Sequence, residues 1–493
     1  MRYNAAAGTG GGRRQFLRDC TGVGAAAAAV LAGAPLLAGC GIRPTGQAAP
    51  TAQQPVETVA FQVNWQQSWN QSAQRMVQDY TDSAFNSKHK GIRAVPQSWG
   101  NASGILTEVL AGSSQAPAVV SSCCGDFAVA QPMLAPLDPL LRRDNLSTSL
   151  WSAGQLLTYQ MPSGLYGVPA YTACQPLIYR QDIFDQLGMQ YPDPAWTYKD
   201  AESIWRQLVG TQGGKHRYAT TFQWYPNNFD GSVFLLKGFG GEEMDASKTV
   251  CLFDQPGSIN AAKWIYPLIW DKVMINRGGL GMSGAQGLAH NHAVMYQSAG
   301  NMLFEAVEVL GNSFKWDVLP MPKWPVRRAT NVQVDYYGIN AHFKNQELAW
   351  ELFKFVAATQ ETNRFLIKAT LSFPNLISMW DEWEVLVRAA APLTRNKQLK
   401  WWRIAAQQGY GYGHEFFANE PNVALGLMSP TLQKMWNHQL DPALGYPLIA
   451  KQVTAFEKNA ASTLQKQAKV QAAISKHYPT ANGHDFAVVQ PGL

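Results

Sequence analysis

Apolar and polar positions alternate along the chain in two different rhythms. Thr58-Val-Ala-Phe-Gln-Val-Asn64, Ile92 to Ser98 and Pro117-Ala-Val-Val-Ser-Ser122 read as short strands. Between them, Ser68 to Phe85 has the spacing of a helix, and Asn101 is placed to cap another that runs through Ala111. Farther on, Ala349, Leu352, Phe353 and Val356 stand at i, i+3, i+4 and i+7, with Asn345 as the expected cap. From Leu376 the pattern is largely helical and ends in a helix near Gln452 to Gln467. Strands alternating with helices predict an α/β fold with a mostly parallel sheet covered on both faces. In such sheets ligands gather at the carboxyl ends of the strands. Those ends carry Asn64-Trp65-Gln66-Gln67, Ser98-Trp99 and Cys123-Cys124-Gly125-Asp126, polar and aromatic groups that a core does not require.

The first forty residues follow another logic. Arg13-Arg14-Gln15-Phe16-Leu17-Arg18 precedes an uncharged Ala/Gly-rich stretch, Thr21 to Gly39, which ends in Leu37-Ala38-Gly39-Cys40. That is the basic, apolar and small-residue order of an export signal. The paired Arg13 and Arg14 resemble a twin-arginine signal, and Leu-Ala-Gly-Cys resembles a bacterial lipobox. The resemblance implies cleavage after residue 39, acylation of Cys40 and retention at the outer face of the cell membrane, where two acyl chains suffice for stable anchoring. The alternative is an uncleaved membrane helix, for which an Ala/Gly-rich segment inserts poorly. Gly41 to Glu57 is rich in Pro, Gln, Thr and Ala and reads as a tether, so residues 40–57 connect anchor to domain.

The chain has 493 residues, too many for one ordinary core and suited to two lobes. Without Arg2, Arg13, Arg14, Arg18 and Asp19 of the signal, 36 basic and 33 acidic residues remain, a balance too mild for nucleic-acid binding. Of six Cys, Cys20 leaves with the signal and Cys40 takes lipid; Cys123, Cys124, Cys174 and Cys251 remain. Four thiols in an oxidising compartment allow three pairings.

Several segments in order resemble bacterial extracellular solute-binding proteins of the maltose- and sugar-binding type, the capture components of ABC importers. These are Gly164-Leu-Tyr-Gly-Val-Pro169, Ala170 to Arg180, Asp182-Ile-Phe-Asp-Gln-Leu-Gly188 and Trp196-Thr-Tyr-Lys-Asp200. His292 to Gly300, Val318-Leu-Pro-Met-Pro-Lys323, Tyr337-Gly-Ile-Asn340, Glu347 to Phe355 and Ser372-Phe-Pro374 continue the series. The resemblance implies the two-lobe periplasmic-binding-protein type II fold, with a ligand cleft between lobes joined by a multi-strand hinge. Mapped here, lobe one is 58–168 plus 332–371 and lobe two is 171–314 plus 372–493. The crossovers fall near 169–171, 315–331 and 371–374. Asn301 stands where the family often has Trp, Arg180 where Asn is usual, and His290-Asn291-His292 where Lys is common.

A carbohydrate needs flat aromatics against its C–H faces and amide, carboxylate or hydroxyl groups along its edges. At positions matching the family, Trp65, Gln66, Trp99, Asp126, Tyr171, Trp224, Tyr225, Asn228, Ser298, Asn301, Tyr336 and Trp436 supply that mixture. Gln223-Trp-Tyr-Pro-Asn-Asn-Phe-Asp230 is the favoured stacking loop. The structural alternative for Trp65, Trp99 and Tyr171 is packing between lobes, and for Trp436, on an expected helix, the core. Trp401 and Trp402 are adjacent, so only one can face inward. The resemblance puts Cys174 near the hinge, which favours a disulfide between it and Cys123 or Cys124 over reduced thiols or a vicinal bridge.

No cofactor or metal is expected. Gly279-Leu-Gly-Met-Ser-Gly284 matches a dinucleotide-loop pattern but follows no predicted strand, and His290 with His292 lacks further ligands. No GxSxG, HExxH or P-loop pattern occurs. An exported carbohydrate-active enzyme would need two positioned carboxylates. A ferric-binding member of the same fold could use Tyr336 and Tyr337, but neighbours on a strand face opposite sides. The expected partners are a small solute, permease subunits in the membrane and, through Cys40, the bilayer; the chain is expected to act as a monomer.

Overall fold

The computed structural model describes residues 56–477, apart from 64–70, 99–107, 109–112, 114–115, 123–132, 162–163, 223–232, 277–279, 298–302, 334, 409–410 and 413–425. The signal, Cys40, most of the tether and the helix expected after Asn101, except Glu108, lie outside the described residues.

The first half of the chain supplies β1 (Glu57–Val63), α1 (Gln71–Ala84), β2 (Ile92–Ser98), β3 (Val119–Ser122), β4 (Val168–Pro169), β5 (Ala173–Cys174), β6 (Leu177–Arg180), α2 (Tyr198–Leu208) and β7 (Lys215–Phe222). Then come α3 (Pro256–Trp270), β8 (Met274–Asn276), α4 (Gly284–Ala289), β9 (Ala293–Gln297), α5 (Leu303–Leu310), β10 (Trp316–Leu319), β11 (Thr330–Gln333) and β12 (Tyr336–Ile339). The rest of the described chain is chiefly helical: α6 (Gln346–Ala357), α7 (Gln360–Thr370), α8 (Trp380–Ala390), α9 (Lys400–Gln407), α10 (Ser429–Trp436) and α11 (Pro442–His477). The last helix is longer at both ends than its sequence pattern suggested, and Pro447 lies inside it.

Two local signals act as read. Asn345 Oδ1 accepts from Leu348 N at 3.1 Å, which caps α6 and turns Leu348, Leu352, Phe353 and Val356 into the core. Thr197 and Asp200 form a reciprocal capping box at the start of α2.

β1 and β2 run parallel from Glu57↔Ile92 to Val63↔Ser98. Ala118 N donates to Ala60 O at 2.8 Å, which brings the β3 segment alongside β1. β12 then lies antiparallel between β3 and β4. The second sheet has the order β8-β7-β9-β6-β10. Its first three strands are parallel, as expected, but β6 is antiparallel to both β9 and β10. The reason is connectivity: β6 enters this sheet and β10 leaves it through the crossovers, not through helix-bearing returns.

Pairing register sorts the side chains of the second sheet. Ile178, Tyr296 and Val318 share one face and join the core that contains Leu288 and Leu310 of α4 and α5. Leu177, Tyr179, Met295 and Leu319 share the other and join a core with Trp205 of α2 and Ile265 of α3. Both faces are therefore dry, which explains the unbroken apolar run of β9. The first of these cores extends from Phe61 and Val120 through Tyr337 to Trp383 and Trp402, so α8 and α9, beyond the third crossover, pack with it.

The glycine run read as following no strand does follow one, β8, and opens α4. It still has no free helix terminus to offer a phosphate. Ser283 Oγ accepts from Gln286 N, and Gln286 Oε1 accepts from Ser283 N.

Candidate functional site

Buried bonds tie together the three segments around residues 169–175, 331–335 and 371–375, where the crossings are expected. In the first, Tyr171 donates from Oη to Asp335 Oδ2 at 2.8 Å, and Asn375 Nδ2 donates to Pro169 O at 2.9 Å. Thr172 Oγ1 donates to Gln155 Oε1 at 2.9 Å, and Gln155 Nε2 reaches Tyr171 O. In the second, β11 pairs antiparallel with β5 through Val332↔Cys174. Gln175 N donates to Asn331 O, and Tyr159 Oη to Asp335 O at 3.1 Å. In the third, Phe373 O accepts from Thr172 N, and Trp383 Nε1 donates to Ser372 O at 3.0 Å. Asp335, Asn375 and Thr172 are each at most 2 % exposed. Polar groups this deep hold their place when bonded, so these bonds link the three segments to one another.

Of the residues expected to touch ligand, Tyr171 is buried and its hydroxyl is engaged by Asp335. Tyr336 is fully buried on β12, paired with Ser122 and Pro169, with its ring 6.0 Å from that of Tyr159. Trp436 closes α10 and packs against the second core. Trp65, Gln66, Trp99, Asp126, Trp224, Tyr225, Asn228, Ser298 and Asn301 lie outside the described residues. The strands that lead to them are described: β1 stops at Val63, β2 at Ser98, β3 at Ser122, β7 at Phe222 and β9 at Gln297.

Trp402 is the inward member of its pair, fully buried against Trp383, with ring centroids 5.7 Å apart. Trp401 instead lines a small surface hollow with Pro176, Pro320, Met321 and Thr330.

Cys174 stands as a buried free thiol, and the partners expected for it, Cys123 and Cys124, lie outside the described residues. It fills core space as a small apolar group, and burial pushes its thiol up to about 12. Tyr336 and Tyr337 are both buried on β12, on opposite faces. Among the described residues no three His, Cys, Asp or Glu side chains are grouped to hold a metal ion.

Sequence reading missed Asp335, Gln155, Asn331, Asn375 and Gln297. The signal was present for two of them: Asp335 interrupts the apolar run Val332 to Ile339, and Gln297 ends the run from Ala293. A buried polar residue is more informative than another buried apolar one.

Solved structures share this architecture. An ABC substrate-binding protein from Listeria monocytogenes, in complex with cycloalternan, matches with a TM-score of 0.65 at 17% identity, covering 81% of this chain and 98% of that one. A cyclic alpha-maltosyl-1,6-maltose binding protein from Arthrobacter globiformis matches at 0.64 and 16% identity over 82% and 100% of the two chains. The sugar-binding protein MalE of Xanthomonas citri matches at 0.65 and 15% identity over 83% and 99%. The sequence profile of bacterial extracellular solute-binding proteins fits residues 64–363, more than half of the chain. The chain belongs to the bacterial extracellular solute-binding protein family.

Proposed function

We propose that this protein captures a carbohydrate outside the cell and delivers it to the membrane permease of an ABC importer. The observation that carries the reading is the network of buried bonds at the proposed triple crossing, in a chain whose strands precede Trp65, Trp99, Asp126, Trp224 and Ser298 by a few residues. Such a crossing lets two lobes close about a ligand by small backbone rotations at few residues. The loops beyond those strand ends hold the aromatic and amide groups that sugar faces and edges require. The ligands named for the similar structures, cycloalternan and cyclic alpha-maltosyl-1,6-maltose, favour an oligosaccharide.

In this reading Trp224 and Tyr225 stack on the sugar, and Gln66, Asp126, Asn228, Ser298 and Asn301 bond its hydroxyls. Cys40 carries the lipid that keeps the protein near its permease, after export directed by Arg13 and Arg14. Binding without turnover is the proposed chemistry.

A thermal-shift screen of the purified protein against sugars, polyols, amino acids and metals tests the proposal, because a ligand bound only by the folded state raises Tm. The expected result is a shift with one sugar class that Trp224→Ala abolishes. A shift with an amino acid or metal and none with any sugar would overturn the carbohydrate assignment.

A further inference from the structure

We infer that Gln297 is a solute-binding residue whose amide reads two neighbouring hydroxyls of the carbohydrate, Oε1 accepting from one and Nε2 donating to the other. The inference rests on the carbohydrate reading above. Gln297 is only 3 % exposed, yet neither Oε1 nor Nε2 has a hydrogen-bond partner. A buried amide left unbonded is costly, and an aliphatic side chain of the same length removes the cost. The fold thus gains nothing from polarity here: Ala293, Val294, Met295 and Tyr296, just before it, are all buried apolar or aromatic residues.

Its place in the sheet gives the amide a different use. Gln297 is the last residue of β9, a central strand flanked by parallel β7 and antiparallel β6. The carboxyl end of such a strand is where open α/β sheets meet ligands. Ser298 is the next residue in the chain. Thr221 pairs with Tyr296, so Phe222 and Gln297 are the next rung and share a face. Phe222 directly precedes the aromatic run Gln223 to Asp230. Gln297 therefore joins two loops already expected to hold sugar. A second unpartnered amide oxygen, Asn331 Oδ1, is also buried, on β11 in a separate sheet. Asn331 O bonds Gln175 N, and Gln175 stands two residues before Leu177, the partner of Gln297.

The test compares wild type with Gln297→Met, titrated with cycloalternan, cyclic alpha-maltosyl-1,6-maltose, maltose and mannotriose by calorimetry. For whichever sugar wild type binds, Kd is expected to rise about tenfold or more. The unliganded Tm should stay within about 2 °C of wild type or increase, because no hydrogen bond is lost. An unchanged Kd overturns the inference and assigns the amide to a bridging water or to simple filling. A lowered Tm with unchanged Kd overturns it equally and makes Gln297 structural. If Gln297→Met does not fold, Gln297→Asn keeps the polarity but withdraws it by one methylene, and the same loss of affinity is expected. A sugar that the thermal-shift screen identifies is added to the titration; wild type that binds no sugar at all defeats the carbohydrate reading itself, an outcome distinct from wild type binding and the variant binding equally well.

Discussion

Tyr171 and Asp335 meet inside the crossing, the phenol donating from Oη to Oδ2 at 2.8 Å. One lies just past the first crossing strand and the other between β11 and β12, so this bond spans two of the three connections. Both side chains are nearly inaccessible. Tyr171→Phe removes the donor without changing the packing. It should cost about 1–3 kcal/mol in urea unfolding, since a buried carboxylate loses a partner. If the lobes pivot at the expected crossings, the variant should also change solute affinity. Stability and affinity both unaltered would show that the bond constrains nothing.

A second relationship concerns Arg180, which replaces the Asn usual in the family. Its side chain is 3 % exposed, and four of its five N–H groups are bonded. Nε and Nη2 engage the two carboxylate oxygens of Asp182 at 2.7 and 2.5 Å. Nη1 donates to Leu288 O at 2.8 Å and to Asn291 Oδ1 at 2.9 Å, and the group lies 3.8 Å above the Phe314 ring. Removing only the anion strands a buried charge. Asp182→Ala is expected to cost about 3 kcal/mol or more, and Arg180→Met less. Chemical denaturation of both variants checks the order; the reverse order would mean that the Arg180 stem, not its charge, matters.

Acid should weaken the surface junction between Asp144 and α6. Hydrogen bonds from Arg143, then Lys354 and Trp350, hold the Asp144 carboxyl well below its usual 3.8. Its folded value is depressed, so its contribution is fully present above 3.8 and is lost as pH falls from there through the folded value. Wild-type Tm should therefore drop more steeply below pH 3.8 than that of Asp144→Asn, and the two curves should run parallel above it. Parallel curves throughout would remove the junction from the acid response.

The thiol of Cys174 gives a chemical check on its state. Buried and held as the neutral thiol to about 12, it should resist iodoacetamide at neutral pH while the protein is folded. In denaturant without reductant it should label at once. A Cys174 peptide that appears only after reduction would restore the bridge expected from its position near the hinge.

The division between what sequence and tertiary structure decide follows the range of the forces. The helix cap at Asn345, the capping box of Thr197 with Asp200, and the strand from Thr58 were readable because each depends on residues a few positions apart. The ordered family segments likewise announced a two-lobe α/β chain, which the fold and the family match bear out. What sequence could not decide was settled between residues far apart in the chain or on different elements. The fold brought Asp335 to the hydroxyl of Tyr171. It also paired Cys174 with Val332 of β11 and enclosed it in the core. The reversed direction of β6 follows from where the crossings enter the sheet. Trp401 and Trp402 could be told apart only after α9 docked against Trp383. Gln297 looked like an ordinary strand end, and only its register beside Phe222 and Leu177 made an unpaired amide of it. Periodicity reports which residues seek the interior, but only packing determines which partners they find there.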